Sequence, residues 1–283
     1  NLLNHKKLDE FIKQLKPEVI IHLAGQSTVD FIKNKKNYIQ NNNLATKNLI
    51  NSIKKNKIPN LIFSSTAAVY KSSERSIKEN SLIKPNNIYG KTKLFCENYI
   101  KSCLKENKNI NYIILRFFNV CSSLPTYKIG EFHNPETHLV PIMAKKLKNK
   151  EKVFIYGKDY KTRDGTCIRD YIHILDIIIA FHKSITFLKK NKKSAVINLG
   201  TNVGFSCLEI FENFKKHFLR QNNILNFKKR RKGDVSKLLC DNKKAYKLLS
   251  WKPKNSKIKK IISDEIKWLK ILDKKKLKRI TIY

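Results

Sequence analysis

The sequence predicts an α/β protein: a parallel sheet interleaved with helices, followed by a smaller α+β domain whose chain crosses back to the first. Three observations carry this. Apolar runs of strand length recur at 19–24, 61–65 and 112–118. The intervals between them hold stretches of helical period, and such alternation is how a parallel sheet covered by helices is written. After about Asn119 the rhythm changes, and Pro125, Pro135 and Pro141 break up a more irregular second half.

Taken in order, Leu8, Phe11, Ile12 and Leu15 share a helical face before Pro17 stops it. The run from Val19 to Ala24, closed by Gly25, reads as a buried parallel strand ending in a glycine turn. A helix over about 41–55 turns Leu44, Leu49 and Ile53 inward, and residues 61–65 form the next buried strand. A loop to about Asn87 leads to a helix from Tyr89 to about Lys105, and 112–118 is a third strand. Beyond it come a Lys-rich helix at 140–150, a short strand at 153–157 and a polar turn at 159–165. A helix from Ile174 to about Leu188 and a strand ending at 198–201 follow, and the rest reads as short helices and basic loops. Residues 1–119, with a return of about 168–190, are assigned to the first domain and 120–283 mainly to the second.

With 41% hydrophobic residues in 283, the chain can bury a core, so disorder is not expected. Lys and Arg number 60 against 22 Asp and Glu, a net charge of +38, which directs attention to nucleic acid or anionic membranes. The kind of cation argues otherwise: only eight are Arg, and Asn, at 30 residues, rises with Lys throughout. Specific phosphate or base recognition favours the planar fork of Arg. Uniform Lys and Asn enrichment is compositional drift of an AT-rich genome, and no specific nucleic-acid partner is expected. The Lys clusters at 189–193, 228–232 and 274–278 read as solvated surface.

Cys96, Cys103, Cys121, Cys167, Cys207 and Cys240 contain no C-x-x-C pair, and reduced, mostly buried thiols of a cytoplasmic protein are expected. The seven histidines show no metal spacing; His133 and His138 are read as structural or substrate-flanking, and no metal is expected. No apolar run approaches the ~18–20 residues that span a bilayer.

One constellation carries chemistry. Tyr89 and Lys93 lie four residues apart at the start of a helix and therefore share a face. A nearby ammonium, with a cationic nicotinamide, lowers a phenol's pKa from ~10 towards neutrality, which makes Tyr89 a proton-exchange group for a sugar hydroxyl. The pair alone is a weak signal in a Lys-rich chain. It gains weight from Ser64, Ser65 and Thr66 at the carboxyl end of the preceding strand, where open α/β sheets place their ligands.

Strand-end hydroxyl, helix-borne Tyr and Lys resemble the triad of the extended short-chain dehydrogenases/reductases. The segments Ser64-Ser65-Thr66-Ala67-Ala68-Val69-Tyr70, Tyr89-Gly90-Lys91-Thr92-Lys93, Leu115-Arg116-Phe117-Phe118-Asn119, Gly130-Glu131-Phe132-His133-Asn134-Pro135-Glu136-Thr137-His138-Leu139-Val140-Pro141, Tyr156-Gly157-Lys158-Asp159-Tyr160-Lys161-Thr162-Arg163-Asp164-Gly165-Thr166, Ile168-Arg169-Asp170-Tyr171-Ile172-His173 and Arg230-Arg231-Lys232-Gly233-Asp234 are similar, in order and spacing, to the UDP-glucose 4-epimerase family. Ala67 and Ala68 stand where sugar-nucleotide 4,6-dehydratases carry an Asp-Glu pair.

The resemblance implies a partial Rossmann-type sheet, a bound NAD and a UDP-hexose substrate. It implies that Tyr89 is the acid/base at the sugar 4-hydroxyl, Lys93 its electrostatic partner and a ribose ligand, and Thr66 the hydroxyl that orients substrate. NAD would take hydride from carbon 4 and return it to the other face of a transient 4-keto sugar, interconverting UDP-glucose and UDP-galactose. Leu23, Ala24, Gly25, Asn42, Ser64, Tyr89 and Lys93 match cofactor positions. Asn119, Leu139, Arg169, Arg231 and Asp234 match positions that hold UDP. Phe154 and Tyr156 flank a strand that lines the uracil pocket or packs in the core. The family also implies a homodimer through helices of the first domain.

The family's opening G-x-x-G-x-x-G, whose amides hold a pyrophosphate, is not among the eight glycines here. On the order of 60 residues, two βαβ-sized units, are expected to precede the chain in the family, which leaves the 19–24 strand as an apolar edge. Two readings stay open: a fragment of an active epimerase, and a non-catalytic remnant that binds UDP-sugar. Leu238 lies near where the family tunes acceptance of N-acetylated sugars, so UDP-N-acetylhexosamine and UDP-pentose remain alternatives.

Overall fold

The computed structural model describes residues 1–27, 35–105, 107, 109–133, 135–218, 225–231 and 233–274. In chain order the elements are α1 (His5–Leu15), β1 (Ile20–His22), α2 (Lys35–Tyr38), a π-helical segment (Ile39–Leu44), α3 (Ala45–Lys55) and β2 (Asn60–Thr66). Then come α4 (Ile88–Leu104), β3 (Asn111–Phe117), β4 (Asn119–Cys121), α5 (Leu139–Lys148), β5 (Val153–Tyr156), β6 (Ile168–His173) and α6 (Ile174–Asn191). The chain continues through β7 (Ala195–Leu199), β8 (Gly204–Ser206), α7 (Cys207–Lys215), β9 (Leu225–Lys228), β10 (Lys237–Leu238), α8 (Lys243–Leu249) and α9 (Ile258–Lys274).

The main sheet runs β1-β2-β3-β7, all parallel. Every residue of β2 is buried, because both of its faces are covered. The two-residue period of a strand separates them: Leu61 and Phe63 pack with Ile50, Ile53 and Ile100 under α3 and α4, while Ile62 packs with Ile172, Ile177 and Trp251 under α6 and α8. A second core, of Val140, Met143, Leu147, Ile210, Phe214 and Ile261, joins α5, α7 and α9 over β5. Two smaller sheets complete the second half: β10-β6-β4 with β8 antiparallel on β6, and β5 with β9. The chain returns to the first sheet through α6 and β7.

The structure departs from the sequence reading in four places. The 19–24 run is strand only at 20–22, and Ile21 and Leu23 are 39% and 59% exposed, because β1 is bonded on one side only among the described residues. Leu44 faces solvent because the π-helical turn before α3 rotates it off the inner face. Residues 168–173 form β6, a strand the reading overlooked. The basic carboxyl-terminal stretch contains a 17-residue helix, α9, which buries Ile261, Ile262 and Trp268. Of the Lys clusters, Lys232 and 275–278 lie outside the described residues, whereas Lys189 and Lys190 are exposed. Among the described residues, no helix is long and apolar enough to cross a membrane.

Candidate functional site

Strand β2 delivers Ser64, Ser65 and Thr66 to the carboxyl edge of the sheet, and each then meets a different partner. Thr66 ends the strand and caps the turn at 67–69, its Oγ1 accepting from the Ala68 amide at 3.1 Å. Helix α4 begins beside that turn, with the Asn87 side chain accepting from the Gly90 amide at 2.7 Å. A Cβ on Gly90 would sit 2.4 Å from the Ala68 carbonyl oxygen, so only glycine lets α4 approach this closely. That approach sets Tyr89 against Thr66, whose hydroxyl hydrogen-bonds to the phenol.

Lys93, one turn along, is 5% exposed. Its Nζ donates to the Ser64 carbonyl at 2.9 Å and lies 4.9 Å from the Phe63 ring centroid. Burial lowers its pKa to about 8. The expected lowering of the Tyr89 phenol by Lys93 is not found within the protein: burial raises the phenol to about 12, and the Thr66 hydrogen bond offsets only part of this. Lys93 is turned towards a backbone carbonyl rather than the phenol, so its charge acts elsewhere.

A second set of groups surrounds the end of β1. Buried Asn42 accepts from the Gln26 amide at 2.7 Å and donates to Thr92 Oγ1 at 2.9 Å, tying the loop after β1 to α4. A Cβ on Gly25 would lie 2.9 Å from Asn42 Oδ1 and 3.6 Å from Lys93 Nζ. Bare backbone beside a buried amide and a buried ammonium suits close approach of a ribose or nicotinamide, so these residues fit that half of NAD. Leu23 and Ala24 are exposed along the same loop. Ser64 Oγ donates to the His22 carbonyl at 3.0 Å, and His22 Nε2 pairs with Thr46 Oγ1 at 2.9 Å.

A cavity of ≈ 610 Å³ opens beyond Ala67, Ala68, Asn86 and Asn87. Asn119 of β4 and Leu139 at the start of α5 line it, as do Phe154 and Tyr156 of β5. Arg169 of β6, Arg231, Asp234 and Leu238 line the opposite side. Arg169 Nη2 donates to Asp234 Oδ1 at 2.8 Å, and the Arg231 guanidinium lies 4.0 Å from the Tyr156 ring centroid. Lys228 covers the Phe154 ring at 4.2 Å. Two guanidinium groups beside two aromatic rings form a surface suited to a diphosphate joined to a planar base.

Several participants were not read from the sequence. Asp170, fully buried, accepts from the Thr201, Asn202 and Cys240 amides and from Thr201 Oγ1, bracing β6 behind Arg169. Glu97 and Arg116 pair behind Ser65. Cys167 and Cys207 bring their sulfurs to 3.3 Å at the cavity wall, though 40 residues apart. Glu131, His133, Glu136 and His138 gather on one loop. Only the alternation of Arg169 and Asp170 along a strand, and the crowding of His and Glu between 131 and 138, offered any local signal.

Comparison with known proteins agrees with this geometry. The model of the NAD dependent epimerase/dehydratase family matches residues 1–200. A UDP-glucose 4-epimerase of Halalkalibacterium halodurans is 35% identical over 256 residues, covering 89% of this chain and 76% of that one. The crystal structure of the Stenotrophomonas maltophila UDP-glucose-4-epimerase with bound NAD and formylated UDP-arabinopyranose superimposes with a TM-score of 0.92 at 25% identity, over 97% of this chain and 82% of that one. The Bifidobacterium longum UDP-glucose 4-epimerase in complex with NAD+ and UDP gives 0.88 at 29% identity, over 96% and 82%.

Proposed function

The chain belongs to the NAD dependent epimerase/dehydratase family, and from that premise we propose that it inverts carbon 4 of a UDP-hexose, interconverting UDP-glucose and UDP-galactose. The observation that carries the reading is the placement of Thr66, Tyr89 and Lys93 at the carboxyl edge of a parallel sheet, beside a ≈ 610 Å³ cavity that holds Arg169 and Arg231. Bound NAD supplies a reversible hydride acceptor, so the reaction needs no net oxidant.

The residues divide the remaining work. Tyr89 exchanges a proton with the sugar 4-hydroxyl at its phenol oxygen, and Thr66 holds that phenol while orienting the same hydroxyl. Lys93, Asn42, Ser64, Leu23, Ala24 and Gly25 hold the nicotinamide half of the cofactor. Arg169 and Arg231 neutralise the diphosphate, Asp234 fixes Arg169, and Phe154 and Tyr156 flank the uracil. Asn119 and Leu139 close the wall towards the sugar. Shielding of the phenol, Lys93 and the strand end from water keeps their electrostatic effects strong.

The test incubates the purified protein with UDP-galactose, with NAD added or withheld, stops the reaction, and measures the UDP-glucose formed by chromatography. Formation of UDP-glucose supports the assignment; UDP-galactose that binds but never turns over with NAD supplied leaves the UDP-sugar-binding reading in its place. Leu238 at the cavity wall favours trying UDP-N-acetylgalactosamine and UDP-arabinose in the same assay. We further place the protein in the cytoplasm as a homodimer through the helices of its first domain, which sedimentation at several concentrations checks.

A further inference from the structure

The loop leading into α5 brings two carboxylates and two imidazoles together without help from the proposed reaction. His133 Nδ1 lies 3.0 Å from Glu131 Oε1 and 3.5 Å from Glu136 Oε2, and His138 Nδ1 lies against Glu131 Oε1 and 3.8 Å from Glu136 Oε1. One ligand atom from each of the four falls within 4.8 Å of all the others. A tetrahedral ion with bonds of ~2.1 Å separates its ligands by roughly 3.4 Å, inside the span of these distances.

Three features set the cluster apart from a chance surface grouping. First, it is anchored. Gly130 lies flat on Trp268, where a Cβ would sit 2.5 Å from the ring, and the Trp268 indole N–H donates to the Glu131 carbonyl at 2.8 Å. Glu136 Oε1 accepts from the Thr137 and His138 amides at 2.7 and 2.8 Å, which leaves Oε2 facing His133.

Second, a third carboxylate stands behind it. Glu265 of α9 is 1% exposed and its Oε2 has no hydrogen-bond partner. The fields of Glu131 and Glu136 reach it, which sets it beside the cluster. Third, this concentration of acid occurs in a chain of net charge +38, yet among the described residues no Lys or Arg forms an ion pair with Glu131, Glu136 or Glu265. The nearby Lys260 is drawn instead to Asp264. His133 Nδ1 is likewise buried without a hydrogen bond of good geometry.

We propose that Glu131, His133, Glu136 and His138 bind a divalent transition-metal ion of the zinc class. Mixed imidazole and carboxylate donors select such an ion over calcium or magnesium, which prefer oxygen throughout. The ion would pin Glu131, His133, Glu136 and His138 to one another, and because His138 and Leu139 continue into the cavity wall, it would stiffen one side of that cavity.

The test is calorimetric titration of zinc chloride into the chelator-treated 283-residue chain, with cobalt(II) absorption as the second readout. Saturation near one equivalent, visible d–d bands and a melting temperature that rises with zinc are expected. The His133→Asn, His138→Asn double variant should lose at least ~10–100-fold in affinity, judged against ligand-shell substitutions elsewhere, while exposed His217→Asn keeps it. His138→Asn alone serves if the double variant does not fold by circular dichroism. Absence of saturable zinc binding by the folded protein, or equal affinity in the folded ligand variants, overturns the proposal.

Discussion

Glu97 and Arg116 meet side-on in the core, Nε to Oε1 at 2.8 Å and Nη2 to Oε2 at 2.5 Å, with side chains 0% and 2% exposed. The pair is embedded in a larger network. Ser65 Oγ donates to Glu97 Oε1 at 2.6 Å, Arg116 donates to the Tyr70 hydroxyl at 2.6 Å, and that hydroxyl donates to Asn198 at 2.7 Å. The carboxylate thus holds the strand end next to Thr66, while Arg116 ties β3 to the turn after β2 and to β7. Glu97→Gln leaves the guanidinium buried without its counter-charge and should cost about 3–5 kcal/mol in urea unfolding. Replacing both partners by apolar residues, Glu97→Leu with Arg116→Met, should cost less than the single change. A loss below ~1 kcal/mol for Glu97→Gln would mean that the pair is not the organising contact.

His22 makes stability depend on acid. It is 2% exposed and pairs with Thr46, and burial, with the Lys93 charge beside it, lowers its pKa to about 3. The unfolded chain takes up this proton near pH 6.5 and the folded chain does not until about pH 3, so the unfolded state binds more protons across that window. Stability therefore falls as pH drops from 6.5 towards 3. Between pH 7 and 4.5 the group accounts for ~3 kcal/mol at 1.36 kcal/mol per pH unit. Denaturant unfolding of His22→Asn should show a loss between those pH values smaller than that of the parent by about this amount; parallel pH curves would reject the assignment.

What could be read from the sequence was what is local along the chain. Strand β2 is an unbroken apolar run ending in hydroxyls, and α4 opens on Tyr89 with Lys93 one turn later, so the strand end and the helix face were both visible. The cavity arginines were visible as rare Arg in a Lys-rich chain. Pairings over long sequence separation were not: Glu97 and Arg116 look like ordinary surface charges until α4 and β3 are packed. Helix α9 was hidden because Lys fills its outer face and dilutes the period of Ile261, Ile262 and Trp268. The 131–138 cluster was hidden because its spacing follows no helix or strand period, and its third carboxylate comes from α9.

Arg169 separates a diphosphate-binding role from a structural one. Its Nη1 returns to its own strand, to the Ile168 carbonyl at 2.9 Å, and Nη2 holds Asp234, so the planar fork is fixed in direction. Lys keeps the charge but not the fork. Arg169→Lys should raise KM for UDP-galactose by ~10-fold with kcat nearly unchanged, the pattern of lost uniform binding. A fall in kcat at constant KM would place Arg169 at the reacting carbon instead.

Tyr89 is held protonated by its surroundings, its phenol pushed up to about 12 by burial. Taking the proton of the sugar 4-hydroxyl therefore requires the phenol to be lowered by the positive charge that a bound nicotinamide would bring, and the reverse step returns the proton from the same oxygen. Tyr89→Phe removes the exchangeable proton without changing the packed ring and should lower kcat by ~10²–10⁴-fold. UDP binding, measured calorimetrically, should stay within a factor of about two, since loss of a general acid/base does not remove a binding contact. Turnover that survives at the parental rate would assign the proton to another group.

Gly25 tests whether the loop after β1 meets the cofactor. A Cβ there lies 2.9 Å from Asn42 Oδ1, and Asn42 cannot move freely because it is bonded to Gln26 and to Thr92. Gly25→Ala must displace either the amide or the loop, and both border Lys93. NAD affinity should then weaken by ~10-fold, equivalent to about 1.4 kcal/mol, while UDP affinity at Arg169 and Arg231 is retained. Equal loss of both ligands would indicate general unfolding of the strand end, and unchanged NAD binding would place the cofactor away from Gly25. Selective loss of NAD is the outcome that ties the carboxyl end of β1, Asn42 and Lys93 into one binding surface.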